Sequence, residues 1–487
     1  MSKLHSTVTR RDFMKALGLT GAGLGVAAAT TPVFNDLDDV KAASQADWKR
    51  PWWVKQVDKP TIEIDWQMLQ RWDQRTNLHF PHNMDKYLGE GAMARASIEG
   101  TAKKLQRMQD GTPGYSLKDQ ALSTGAIGLT SNFDLLSFIN YLPLKVITPE
   151  EQGLPKYQGT PEENTRMMRA AMRFFGAGQV SVWQLEESTT KKLIYAWDRG
   201  TLWGLPYGTY GSSCKPYVFE DVEKSYETDS KYVIANNCKY VISYTVPMAK
   251  EAWRCAPTAI RDAANMSRYR IQGNIQTGTQ KFLASLGYQA LGAPKGNPNG
   301  ICPAPAALIL SGIGEANRIN QFITPEEGST AGGPYMIITD LPLAPDKPID
   351  AGLFRFCHSC RKCAETCPSE SIMLEAEPKW DCAPYQSPGH KAFFKNDLNC
   401  NYYSNVQGFA GCGICMAVCT FNVNDVASIH HVVKATVSTT GLLNSFLWKA
   451  DSAFGYGLKD PNDWWGLSLP QYGFDSTIYA NNGGYKK

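Results

Sequence analysis

Eight cysteines in the last third of the chain constrain its fold more than any other feature. Four form the run Cys357-x2-Cys360-x2-Cys363-x3-Cys367, followed at once by Pro368. The other four are Cys400 and, after a longer gap, Cys412-x2-Cys415-x3-Cys419. Thiolates at these spacings hold iron–sulfur clusters, and in a two-cluster ferredoxin module the fourth cysteine of a run ligates the other cluster. That rule groups Cys357, Cys360, Cys363 and Cys419 around one [4Fe–4S] cluster. Cys412, Cys415 and Cys367 take the second, with Cys400 as its displaced fourth ligand. Structural zinc also uses C-x2-C pairs, but it rarely needs two interlocked runs with proline behind the fourth cysteine. A chain built around such a module moves electrons.

The amino terminus predicts where. Arg10-Arg11-Asp12-Phe13-Met14-Lys15 precedes an apolar stretch from Ala16 to Ala29 that is rich in Gly and Ala. A basic start, a short apolar segment and a small-residue exit describe an export signal, and paired arginines mark the twin-arginine route for folded proteins. Gly18, Gly21, Gly23 and Gly25 make a poor helix interior, which argues against a buried core helix. The stretch is also too short to span a bilayer. We assign residues 1–43 to the signal, with cleavage near Ala42-Ala43.

The rest of the 487 residues is enough for two domains. Apolar content of 43% and charged content of 20% fit a soluble globular protein. The net charge of +3, without a Lys/Arg block, argues against a nucleic-acid partner. Cys214, Cys238, Cys255, Cys302 and Cys382 share no motif and read as small hydrophobes. None of the seven histidines stands in an H-E-x-x-H arrangement.

A helix is expected from Thr160, with Pro161 at its first position, Glu163 completing a capping box and Gly176 as its stop. Val180 to Leu185, Tyr240 to Val246 and Tyr335 to Leu341 read as strands. A second helix is expected from about Ser267 to Leu286, ended by Gly287. Most of the tryptophans at 48, 52, 53, 66 and 72 read as core. Helices and strands alternate without a clean βαβ repeat. The expected class is therefore α+β, with residues 44–345 as the core, 346–425 as the ferredoxin-like module and 426–487 packing back on the core.

Together these features resemble the respiratory reductive dehalogenases. The resemblance rests on the twin-arginine segment, Leu286-Gly287-Tyr288, Gly312-Ile313-Gly314-Glu315, the stretch from Thr339 to Pro348, and both cysteine runs. It implies a corrinoid-binding, nitroreductase-like core, with the cofactor held base-off; the chain has no D-x-H-x-x-G motif for a cobalt-ligating histidine. It implies two-electron replacement of carbon-bound halogen by hydrogen, electrons passing through the clusters to cobalt. It also implies an organohalide substrate, a small integral-membrane anchor protein and a membrane electron-transport chain. The enzyme would then sit peripherally on the outer face of the cytoplasmic membrane.

By the same resemblance a tyrosine supplies the proton, and counting back from Leu286-Gly287-Tyr288 it falls on Tyr269. A phenol, with an ordinary pKa of about 10, loses its proton more readily near fixed positive charge. The family's positioning asparagine corresponds to Asn297 or Asn299. Its arginine near the tyrosine has no counterpart between Gly328 and Pro334, so Arg318 is taken as the substitute. Tyr402 and Tyr403 fall where an aromatic pocket residue is expected, though both also suit core packing or cluster shielding. Two other functions fit parts of the pattern: an iron–sulfur electron-transfer subunit without its own catalysis, and a corrinoid enzyme resembling epoxyqueuosine reductase.

Overall fold

The computed structural model of the chain describes residues 50–78, 80–139, 146–200, 214–330, 332–422 and 428–469. The export signal, Trp48 and the tail beyond Leu469 lie outside them. The centre is a four-stranded antiparallel sheet of β1 (Val180–Gln184), β2 (Tyr240–Val246), β3 (Ala290–Leu291) and β4 (Gly333–Thr339), in the order β1-β2-β4-β3. Successive strand residues face opposite sides, and both sides are buried. Ile337 faces one core, with Val182, Ile242 and Tyr244. Met336 and Ile338 face another, with Trp183, Val241 and Leu291.

The first core is roofed by two helices, here α2 (Pro161–Phe174) and α4 (Gln272–Ser285), through Met168, Met172, Ile275 and Leu283. The expected capping box at the start of α2 is present: Thr160 accepts from Glu163 N–H, and the Glu163 carboxylate accepts from Thr160 N–H. Gly176 ends that helix with φ +108°, a conformation that favours glycine. The other helices that matter below are α1 (Ala92–Gln109), α3 (Ala259–Ser267), α5 (Ala304–Leu310), α6 (Leu353–Ser359), α7 (Asp397–Val406), α8 (Ser428–Thr439) and α9 (Asn444–Ala453).

One expected helix divides. Ser267 to Leu286 is not continuous: α3 stops at Ser267, residues 268–271 form a turn, and α4 begins at Gln272. The apolar stripe of Ile271, Ile275, Phe282, Leu283 and Leu286 still packs on one core, so periodicity alone gave no sign of the break. Tyr269 therefore sits in a turn, where sequence neighbours can meet.

The core joins the cysteine module through Gly312 to Glu315. Gly312 has φ +73°, and a Cβ there would lie 2.0 Å from the Lys347 carbonyl oxygen. Glu315, 1% exposed, accepts backbone N–H groups of Ala351, Leu353 and Phe354 at 2.8, 2.7 and 2.9 Å. It thereby holds the first turn of α6, which carries Cys357. Asp346 accepts from Arg169, Ser181 and Val182 and ties the extended 342–348 stretch to the sheet edge.

The carboxyl-terminal segment packs on both parts rather than on the core alone. In α9, Asp451 pairs with Lys362 of the module. Lys459 N–H bonds Arg254 O, and Trp465 Nε1 donates to Asp119 at 2.7 Å in the core. Trp53, Trp66 and Trp72 contribute to the cores, whereas Trp52 is exposed. Among the described residues no helix is long and apolar enough to cross a membrane.

Candidate active site

The fold gathers the eight cysteines into two neighbourhoods. Cys357, Cys360, Cys363 and Cys419 line one cavity, together with Ser329, Arg318 and Thr420. Ser329 Oγ donates to Cys419 Sγ at 3.2 Å. Burial pushes the Cys360 thiol up to about 12, with Cys419 adding to the rise. Cys415 borders the same cavity from the second group.

That second group takes Cys367 from the first run. Cys400, Cys412 and Cys415 are each raised first by burial and then by neighbouring charge that includes Cys367. Ser371 N–H donates to Cys367 Sγ at 3.4 Å, and Lys395 Nζ to Cys400 Sγ at 3.8 Å. Cys363, Cys367 and Cys415 pack against Ile319, Ala364 and Ile372. Eight buried or half-buried thiols cannot ionise cheaply unless a cation neutralises them. Eight such thiols, five of them around one cavity, suit metal–sulfur clusters.

Tyr269 occupies a different place, at the end of the sheet where β4 begins. Its ring is 8% exposed and meets Phe133 edge-on at 5.0 Å. Arg268 donates an Nη–H to the phenol oxygen, and its guanidinium lies 4.4 Å from the ring centroid. Arg268 is held in turn by its own carbonyl, which accepts from Tyr335 Oη at 3.1 Å. Arg199 stands near as well: burial lowers its pKa, and the neighbouring Tyr269 is the first influence opposing that fall, with Asp198 next.

Asp198 links this cluster to Asn297. The Asn297 side-chain amide, 0% exposed, donates to Asp198 and to Gln74 Oε1, the latter at 3.0 Å. Asn299 is less buried and supplies only its backbone N–H to Asn297 Oδ1 at 3.4 Å. Of the two expected asparagines, Asn297 is the one built into the network.

Two expectations need correction. Arg318 does not reach Tyr269. All five of its N–H bonds end on the carbonyls of Cys357, His358, Met373 and Glu375. The cation on the phenol is Arg268, the sequence neighbour of Tyr269, which a continuous helix would turn away and which the turn at 268–271 brings close. Nor do Tyr402 and Tyr403 join the tyrosine site. Both lie on α7: Tyr402 packs with Leu78, Met84 and Met93, and Tyr403 packs edge-on to Phe409 near Cys412. Tyr403 shields the second cysteine group instead.

Three polar atoms on residues beside Tyr269 are buried without a hydrogen-bond partner in the protein: Arg199 Nε, Arg268 Nε and Gln272 Oε1. Buried polar atoms are normally satisfied, so this set fits a ligand with several amide or phosphate groups on its rim. A corrinoid is such a ligand. Arg199 and Gln272 carry no motif; only their three-dimensional approach to Tyr269 identifies them.

Fold and cysteine geometry define a two-cluster iron–sulfur oxidoreductase with a buried tyrosine site. Residues 49–343 match the family model for the reductive dehalogenase subunit, and residues 356–422 that for a 4Fe-4S double cluster binding domain. The chain belongs to the reductive dehalogenases, oxidoreductases acting on carbon–halogen bonds. It is 30% identical to a chloroethene reductive dehalogenase of Dehalococcoides mccartyi (strain VS), over 98% of this chain and 99% of that one. It is 27% identical to a tetrachloroethene reductive dehalogenase of Sulfurospirillum multivorans, over 100% and 98%. Among solved structures, catabolic reductive dehalogenase NpRdhA superimposes with a TM-score of 0.56 at 20% identity, over 83% of this chain. Another, described in terms of B12-dependent dehalogenation, gives 0.53 at 19% over the same share. This chain spans 49% of the length of each.

Proposed function

We propose that the chain replaces carbon-bound halogen by hydrogen at a site formed around Tyr269, using two electrons delivered through two [4Fe–4S] clusters. Cys357, Cys360, Cys363 and Cys419 hold one cluster; Cys367, Cys400, Cys412 and Cys415 hold the other. A corrinoid would bind beside Tyr269, where Arg199, Arg268 and Gln272 would offer buried atoms to its rim. When bound, it supplies the cobalt-centred electron pair that breaks the carbon–halogen bond. The balance is one organohalide, two electrons and one proton giving one hydrogenated product and one halide.

The protein's part is the proton and its placement. A guanidinium can only donate, so the phenol oxygen of Tyr269 accepts from Arg268 and its own hydrogen points away from that arginine. After the proton passes to the substrate carbon, the Arg268 N–H stabilises the oxygen left negative. Asn297 holds the Asp198 carboxylate, whose charge acts on Arg199 near the phenol. The ring of Phe133 gives the site an apolar wall that suits a halocarbon with few hydrogen-bonding groups.

The same proposal includes export by the twin-arginine route through residues 1–43 and peripheral attachment to the outer face of the cytoplasmic membrane. A small integral-membrane anchor would link the enzyme to a membrane electron-transport chain, as terminal reductase of organohalide respiration. The Arg10-Arg11 segment supports the route.

The observation that carries the reading is the buried Tyr269, its oxygen held by Arg268 among polar atoms that no protein group satisfies. The test is halide release by reconstituted protein with reduced viologen, across an organohalide panel beginning with chlorinated ethenes, the substrates for which two relatives are named. We expect one halide for every two viologen radicals consumed. Clusters that reduce and reoxidise with no halide from any substrate would leave a plain electron carrier.

A further inference from the structure

Arg318 is 1% exposed, yet none of the acceptors of its five N–H bonds is a carboxylate. A buried charge satisfied only by neutral carbonyls is costly unless an opposite charge lies close by. The opposite charge here comes from sulfur. Arg318 lines the same cavity as Cys357, Cys360, Cys363 and Cys419, and three of its N–H groups bond the carbonyls of Cys357 and His358. Its far face stacks on Phe393, with the guanidinium carbon 4.2 Å from the ring centroid, away from water.

The second cysteine group differs. Its nearby cations, Lys395 and Arg261, are each paired with a carboxylate, Asp397 at 2.8 Å and Asp262 at 3.0 Å, which offsets their charge. Resting on the assignment of these cysteines to two clusters, we infer that Arg318 is the fixed countercharge of the Cys357-Cys360-Cys363-Cys419 cluster, selectively raising its reduction potential. Reduction adds one electron and hence one negative charge to that cluster. A permanent cation in a low-dielectric wall favours the reduced form. Removing the cation must lower the potential, while the other cluster, with its own neutralised Lys395, stays where it was. Arg318 is thus a positioning and tuning residue for electron delivery, not a proton-site residue.

The experiment is a redox titration of the reconstituted full-length protein, followed by the electron paramagnetic resonance signals of the two reduced clusters. Wild type is compared with Arg318→Gln and Arg318→Lys, iron and sulfide being measured in each. Arg318→Gln should lower one midpoint so that the reduced-to-oxidised ratio at a fixed potential falls at least tenfold, about 59 mV for one electron. The other midpoint should not move, and Arg318→Lys should stay near wild type because it keeps the charge. If Arg318→Gln loses the cluster while Arg318→Lys assembles it, the charge requirement is likewise supported. The inference is overturned if neither midpoint moves, if both move equally, if Lys shifts as far as Gln, or if neither variant assembles the cluster. Wild type without two cluster signals would instead refute the cysteine assignment.

Discussion

Tyr269 and Arg268 are adjacent in sequence, and the turn between α3 and α4 makes them partners. If the phenol delivers the proton, Tyr269→Phe keeps the packing against Phe133 but removes the acid. Halide release should fall by roughly 10²-fold or more with cobalt and iron content intact; near-normal turnover would reject the role. Arg268→Met should cost a comparable factor in kcat, yet add little in the Tyr269→Phe background, because both act on one oxygen. Independent, multiplying losses in the double variant would show that Arg268 serves something other than the phenol. The choice of Tyr269 was legible only through the family pattern. Arg318 is expected as its cation because no arginine stands between Gly328 and Pro334; the break at 268–271, which leaves no mark on apolar spacing, supplies Arg268 instead.

At the scale of elements, the sequence spoke most clearly where local chemistry decides structure. The Thr160–Glu163 capping box and the stop at Gly176 formed as expected because caps depend on residues three or four apart. The joint between core and cysteine module was visible as Gly312-Ile313-Gly314-Glu315, but its purpose was not. Gly312 passes hard against the backbone at Lys347, and Glu315 receives three N–H groups from a segment more than thirty-five residues later. Gly312→Ala should be strongly destabilising, since both the left-handed φ and the backbone contact oppose a Cβ. Glu315→Gln leaves an amide N–H facing backbone donors, so we expect a loss of about 2 kcal/mol. Thermal or denaturant unfolding followed alongside cluster absorbance measures both. Cluster loss should accompany unfolding of α6 in the Glu315 variant; unchanged stability would remove Glu315 as the clamp.

Across the whole molecule, the eight clustered cysteines come late in the sequence and Tyr269 near its middle. A grouping of the cysteines could be proposed from spacing, because cluster geometry constrains it. The surroundings of Tyr269 could not, because Arg199 and Gln272 are brought beside it only by the fold. The closing segment, expected to pack on the core, instead spans core and module through Asp451, Lys459 and Trp465. Its truncation before Asn444 should loosen the module as well as the core, read as faster iron release to a chelator; unchanged iron retention would contradict that bracing role.

The most direct test of the account is metal analysis of full-length protein reconstituted anaerobically with iron, sulfide and a cobamide, then freed of unbound cofactor. The account predicts one tightly held cobalt per chain beside two clusters' worth of iron and sulfide. Protein that carries the full iron and sulfide but retains no cobalt would contradict it.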